Sequence, residues 1–353
     1  MAVPGSPPAA LDPRRVQSWA ADKGLGSGPW QVEPLGQGHS NLTFLVRGAG
    51  GELVARRPPL GPLQPTAHDV LREAAVLARL GAGPVPVPTV LATCEDPSVV
   101  GAPFFLMTKV DGVVLRGALP RPLADRPAAQ RALGLDVADV LARIHGVDPA
   151  PFLAAGLGRP DGYLARQLSR WTAQRSGLVD AVTRAGGTAR ALPDSDALAR
   201  WLTAHCPDEI APTLVHGDFK LDNLLIADVA TAVPRVAAVL DWEMATVGDP
   251  RADLGYLLAL WPQPGEPAAL PGGDAPAVLA LPRAELAARW AARTGCDPEP
   301  LDWFQALALW KLATLLEVSY HRWLAGRSDD AMFASLESGV PALLARGREV
   351  AGA

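Results

Sequence analysis

Periodic spacing of apolar residues divides the chain into a strand-bearing first part and a mainly helical second part. Leu42 to Val46 and Glu52 to Arg56 read as short strands, and the turn-forming GAGG between them predicts a hairpin. A helix should follow, because Val70, Leu71, Ala74, Leu77 and Ala78 fall on one stripe and Thr66 with Asp69 makes a capping-box-like start. GAGPVPVPTV cannot be helical, and FFLMTKVDG reads as a strand running into a turn at Asp111 and Gly112. From about Val113 onward Leu133, Val137, Val140, Leu141 and Ile144 form another amphipathic face, ending near His145 and Gly146. Two short apolar runs, one just before His216 and one from Val236 to Leu240, interrupt the helices as a small β insertion.

The edges of this pattern are polar or irregular. Residues 1–10, rich in proline and small side chains, are expected to be a disordered tail, with ordered structure starting in a helix around Pro13 to Lys23. Between Trp261 and Pro282 proline and glycine are too frequent for regular structure, leaving a lid or a surface loop. The boundaries expected are a first domain over 11–112 and a second over 113–353. No internal repeat supports a solenoid.

Composition narrows the function classes. A chain of 353 residues has room for about two domains and a substantial core. A net charge of −5 provides no footprint for nucleic acid. No apolar run approaches the ~18 residues of a membrane span, and MAVPGSPPAA has neither a basic start nor a hydrophobic segment, so a cytoplasmic protein is expected. Cys94, Cys206 and Cys296 are far apart and lack metal-ligand spacing, which argues against a disulfide framework or a zinc site and for small buried side chains.

The chemistry concentrates in LVHGDFKLDNLLI and VLDWEMATVGDPRADLG. Asp218 stands five positions before the amide Asn223, each after or beside a short apolar run, and Asp241 ends the second run. Phosphoryl transfer needs this inventory: one carboxylate to orient the attacking hydroxyl, and an amide oxygen with a second carboxylate to hold magnesium on nucleotide phosphates. A metal-dependent hydrolase built on His216 and Asp218 fits poorly, since no further histidine lies at ligand spacing.

HGDxxxxN followed by DWE resembles the catalytic and metal-binding segments of protein kinases, in the form used by small-molecule kinases of the aminoglycoside phosphotransferase and choline kinase-like family. GQGHSNLTF, LVARRPP, VLREAAVL and FFLMTKVDG occur in the matching order, so the likeness covers most of the chain. GRPDGYLARQLSRW and LDWEMATVGDPRADLGY are similar to the phosphotransferase-like domains fused to acyl-CoA dehydrogenases. The resemblance implies an α+β, bilobal protein-kinase-like fold, with a small β-rich N-terminal nucleotide-binding lobe and a larger, mainly helical C-terminal lobe.

It also implies roles. Asp218 would be the catalytic base, with His216 bracing the catalytic loop in preference to transferring a proton, and Lys220 within reach of the transferred phosphate. Asn223 and Asp241 would share magnesium, and Asp253 would anchor the loop from the following helix; Asp222 is expected to be exposed. Gly36, Gly38 and Ser40 would line the loop over the ATP phosphates, although Asn41 replaces its third glycine. Arg56 stands where the family usually has a phosphate-gripping lysine, with Glu73 as its partner; Arg57 is the competitor for that place, since strand alternation decides which points inward. Met107, Thr108 and Val110 would neighbour the base of ATP, with Lys109 turned outward.

The acceptor that the resemblance implies is a small-molecule hydroxyl, and two classes remain: an aminoglycoside, favoured by an acidic pocket, or a hydroxyacyl-CoA or other anionic metabolite, favoured by arginines near the cleft and by the basic, aromatic stretch after Gly162, whose Arg166, Arg170 and Trp171 are not assigned to the substrate. Trp303, Leu307, Trp310 and Thr314 share a helical face that reads as core before it reads as a substrate surface. The alternative to a kinase is a nucleotide-binding module without turnover, suggested by Arg56 and the incomplete glycine loop and opposed by the intact Asp218, Asn223 and Asp241.

Overall fold

The computed structural model describes residues 11–26, 28–35, 41–59, 69–266, 277–327 and 331–353. The expected tail, Thr66, Gly36, Gly38, Ser40 and the middle of the proline- and glycine-rich segment lie outside the described residues. Contacts divide the chain into two compact units, Met1–Asp111 with Ala237–Ala245, and Gly112–Val236 with Thr246–Ala353.

In the first unit α1 (Pro13–Ala21) starts where the Asp12 carboxylate accepts from the Arg14 and Arg15 amides, with Pro13 in the first turn. It is followed by β1 (Gln31–Pro34), β2 (Leu42–Gly48), β3 (Gly51–Arg57), α2 (Val70–Leu80), β4 (Val90–Cys94) and β5 (Phe104–Thr108). The strands form one antiparallel sheet in the order β1-β2-β3-β5-β4. The β2–β3 turn closes with Gly48 opposite Gly51, whose φ of 116° suits a residue without Cβ.

Strand alternation then sorts the side chains. Ala55, Phe44, Val46, Phe104 and Leu106 pack with Val16 and Ala20 of α1 and with Trp30 in one core. Arg57 falls on that side, donating to the carbonyls of Pro58 and Val100. Arg56, in register with Phe105, falls on the other side.

The second unit contains α3 (Arg121–Ala124), α4 (Pro127–His145), α5 (Ala150–Ala154), α6 (Tyr163–Arg184), α7 (Pro193–Ala204), β6 (Thr213–Val215) and β7 (Leu224–Ala227). β8 (Arg235–Val239) runs across the division, and β9 (Thr246–Gly248), α8 (Arg251–Leu260), α9 (Arg283–Thr294), α10 (Leu301–Leu324) and α11 (Leu336–Ala351) complete the chain. β6 pairs antiparallel with β9, Leu214 opposite Val247. α10 is the centre of the helical packing, touching α6, α7, α8 and α11. Trp303, Leu307, Trp310 and Thr314 are all buried there, as core. α8 comes so near α10 that a Cβ on Gly255 would lie 2.5 Å from the Phe304 Cβ.

Of the cysteines only Cys94 is buried. Cys206 is exposed because it follows the end of α7 in a polar CPDE loop, so the expectation of three buried thiols does not hold. No helix among the described residues is long and apolar enough to cross a membrane.

Candidate active site

In the second unit β6 ends at Val215 and delivers His216, Gly217 and Asp218 to a short loop, which passes through one 3-10 turn, Leu221–Asn223, into β7. His216, Asp218, Lys220 and Asn223 are brought together here. The Asn223 amide donates to the Asp218 carboxylate at 2.8 Å and to the Asp218 carbonyl at 2.9 Å. Those two bonds occupy the amide nitrogen and leave its oxygen as the acceptor of the side chain. Lys220 Nζ lies 2.9 Å from the carboxylate, and the Tyr256 hydroxyl of α8 hydrogen-bonds it.

Burial works against ionisation of Asp218, but the charges of Lys220 and Lys311 and the hydrogen bonds from Tyr256 and Lys220 outweigh it and hold the carboxyl below its usual range. The same carboxylate and burial push the Tyr256 phenol far up, so Tyr256 donates as a neutral hydroxyl. Burial lowers Lys311 to about 8, against the pull of Asp218 and Asp253.

The loop is fixed from α8. Asp253, in its first turn, accepts from the His216 amide at 2.6 Å and the Gly217 amide at 2.8 Å. It also lies 3.4 Å from His145 Nε2, and the other ring nitrogen of His145 receives the Trp290 indole N–H at 2.9 Å. An indole can only donate, so His145 Nδ1 accepts and Nε2 carries the hydrogen toward Asp253. Burial opposes the charge on Asp253, and the hydrogen bonds from His145 and from the His216 amide hold its carboxyl low. His216 itself is fully buried, its Nδ1 accepting the Asp218 amide at 3.1 Å.

In the first unit Arg56, Glu73 and Asp241 are brought together. Arg56 pairs with Glu73 of α2 at 2.9 Å and with Asp241 at 2.6 Å. Glu73 sits in the buried stripe of α2, where burial, reinforced by the charges of Asp241 and Glu243 and opposed by Arg56, pushes it up to about 7. One Glu73 carboxylate oxygen has no hydrogen-bond partner. Asp241 adopts a left-handed backbone, φ 66°, leading into the turn Trp242–Met244. Asn41, which replaces the third loop glycine, is buried and donates to Glu243 at 3.0 Å.

Met107 and Thr108 lie at the end of β5, Met107 buried and the Thr108 hydroxyl accepting from the Thr89 amide at 2.9 Å; Val110 follows just beyond, half-buried. Lys109 pairs with Glu52 and Asp111. In α6 Arg170 stacks on Trp171, while Arg166 donates to the Arg159 and Asp161 carbonyls.

No cluster of three or more His, Cys, Asp or Glu among the described residues is disposed to hold a metal. The Asn223 amide oxygen in the second unit and the Asp241 carboxylate in the first are each hard oxygen donors of the kind that magnesium accepts. Reading the sequence missed Tyr256, Lys311, His145 and Trp290. The one visible signal was Lys311, a charge inside the apolar run LWKLATLL.

A family model described as "Phosphotransferase enzyme family" matches residues 31–286. Mouse acyl-CoA dehydrogenase family member 10 is 34% identical over 309 residues, covering 86% of this chain and 28% of that protein. Chicken acyl-CoA dehydrogenase family member 11 is 38% identical over 240 residues, 67% of this chain and 29% of that protein. The chain thus spans under a third of either relative. Among solved structures, one from Ralstonia eutropha, provisionally assigned as an aminoglycoside phosphotransferase, has a TM-score of 0.75 at 29% identity, covering 97% of this chain and 98% of its own. A ternary complex of aminoglycoside phosphotransferase APH(4)-Ia with AMP-PNP and hygromycin B has a TM-score of 0.58 at 18% identity, covering 96% and 99%; it shares the fold.

Proposed function

Since the chain belongs to the phosphotransferase enzyme family, we propose that it is an ATP- and magnesium-dependent kinase that transfers a phosphoryl group to a hydroxyl of a small molecule. The observation that carries this reading is the setting of Asp218: ionised, aimed by Asn223, Lys220 and Tyr256, and borne on a loop anchored by Asp253. A carboxylate so held accepts the hydrogen of an incoming hydroxyl and orients its oxygen for attack. Lys220 reaches the transferred group, and His216 braces the loop. Family resemblance gives Asn223 and Asp241 the role of magnesium ligands, and the ion would supply neutralisation of charge on the nucleotide phosphates. Arg56, tied to Glu73, takes the place of the usual lysine in gripping phosphate, with Gly36, Gly38 and Ser40 over the phosphates and Met107, Thr108 and Val110 beside the base. A cytoplasmic location, where ATP and magnesium are plentiful, goes with this reading.

The acceptor we favour carries negative charge, as a hydroxyacyl-CoA does. The charges of Lys220 and Lys311 act on Asp218, and those of Arg170 and Lys220 act on Lys311, so this neighbourhood is rich in positive charge, whereas a polycationic aminoglycoside calls for an acidic pocket. The second reading, a nucleotide-binding module without turnover, is favoured by the Arg56–Asp241 ion pair, which engages a proposed metal ligand.

ADP release measured with hydroxyacyl-CoAs, other hydroxylated metabolites and aminoglycosides separates these possibilities. Stimulation by an anionic acceptor is expected, and Asp218→Ala should lower turnover by roughly 10²–10⁴ with ATP affinity nearly unchanged. ATP binding without turnover on any acceptor would establish the module instead.

A further inference from the structure

We propose that Lys311 is a positioning residue, whose ammonium fixes the peptide plane leading into Asp218 by donating to the Gly217 carbonyl. The inference rests on the phosphotransferase reading of Asp218 and adds to it a residue on a distant helix.

The peptide between Gly217 and Asp218 is planar, so holding its two ends fixes where Asp218 begins. Its N–H end donates to His216 Nδ1 at 3.1 Å, and its carbonyl end accepts from Lys311 Nζ. The peptide before it is tied to Asp253 through the Gly217 amide at 2.8 Å. Gly217 has φ 83°, a conformation that steric preference alone does not select for a residue free to turn either way. External bonds must therefore choose the orientation. Three come from this structure, and Lys311 supplies the one on the carbonyl.

Packing alone does not call for a charge at Lys311, although two aromatic rings lie near its ammonium. It is buried in α10 between the buried Trp310 and Leu312, with the Tyr256 ring 4.9 Å and the Trp171 ring 5.7 Å from its ammonium. A hydrophobic side chain of similar length would fill this position without desolvating a charge. The charged groups facing it are Asp218 and Lys220 from the loop, Asp253 from α8 and Arg170 from α6. The side chain of Asp218 is managed separately, by Asn223, Lys220 and Tyr256. Asn223 also holds the carbonyl that leaves Asp218, whereas the peptide that enters it is held by His216 and Lys311.

Lys311→Met and Lys311→Arg, made in the full chain, test this by two routes. Hydrogen exchange of 215–223 reports the loop, and steady-state turnover with ATP and the acceptor that stimulates the wild type reports aim; ATP hydrolysis serves if no acceptor does. Lys311→Met should speed exchange at the Gly217 and Asp218 amides by about tenfold or more, leaving α4 and α11 unchanged. It should lower kcat by about 10–100-fold with KM for ATP within about twofold, and Lys311→Arg should recover part of both losses. Unchanged loop exchange, or a loss confined to KM, overturns the proposal, as does exchange raised throughout the protein with no recovery by arginine. Absence of any ADP release from the wild type would remove the kinase reading alone, since the exchange comparison still decides whether Lys311 holds the loop.

Discussion

Lys311→Met should make the protein at least as stable at neutral pH while impairing it. Burial takes the lysine from 10.5 to about 8, and lowering a pKa by one costs the charged form ~1.4 kcal/mol, so carrying the buried ammonium costs about 3 kcal/mol near pH 7. Methionine removes that cost and leaves the Gly217 carbonyl without its donor, a loss of ~1–3 kcal/mol. The balance runs from roughly zero to a gain of about 2 kcal/mol. Its pH dependence is the sharper signature. Between pH 8 and 10.5 the unfolded chain binds a proton at this lysine that the native state has released, so wild-type stability rises with pH through that window. The methionine variant lacks this contribution, and its advantage should shrink by about 2–3 kcal/mol between pH 7 and pH 10. Urea unfolding of both proteins at the two pH values measures the difference directly. Parallel pH dependences, or a variant weaker than wild type by more than about 2 kcal/mol at pH 7, would refute the reasoning.

Asp241→Asn should weaken the magnesium-dependent part of nucleotide binding; an unaltered metal dependence in a titration of ATP would place the ion elsewhere. Glu73, raised from 4.5 to about 7, keeps a proton in the native state that the unfolded chain has lost, so stability should fall by about 3 kcal/mol as pH rises through that range. Glu73→Gln should flatten this segment of the stability curve, read by thermal melts at pH 5 and pH 8. Gly255→Ala forces α8 and α10 apart at Phe304 and should cost ~1–3 kcal/mol in urea unfolding.

Local pattern made much of the architecture legible. The hairpin expected over Leu42 to Val46 and Glu52 to Arg56 is β2 and β3, one or two residues longer at the turn, because Gly48 and Gly51 still pair. The stripe on Val70, Ala74 and Leu77 is the buried face of α2, and FFLMT is β5. Which arginine faces Glu73 was open in the sequence and is decided by pleating, which turns Arg57 to the opposite core. Residues that reach the loop from afar were not legible. Tyr256 and Lys311 are 38 and 93 positions beyond Asp218 in helices whose apolar pattern advertises packing. Nothing in a 3.6-residue period distinguishes a lysine that snorkels to water from one aimed at a buried carbonyl. His145 was readable only as the end of a helix; its hydrogen bonds depend on Trp290 and Asp253, 145 and 108 residues away.

The left-handed backbone at Asp241 narrows what evolution can try at that position. Glycine, asparagine and aspartate tolerate such a conformation, while β-branched and bulky residues are penalised before their chemistry is tested. Of the three, only aspartate also answers Arg56 with a full negative charge. Two unrelated filters therefore pass the same residue, and a lineage drifting away from catalysis would be expected to leave glycine or asparagine there as its trace.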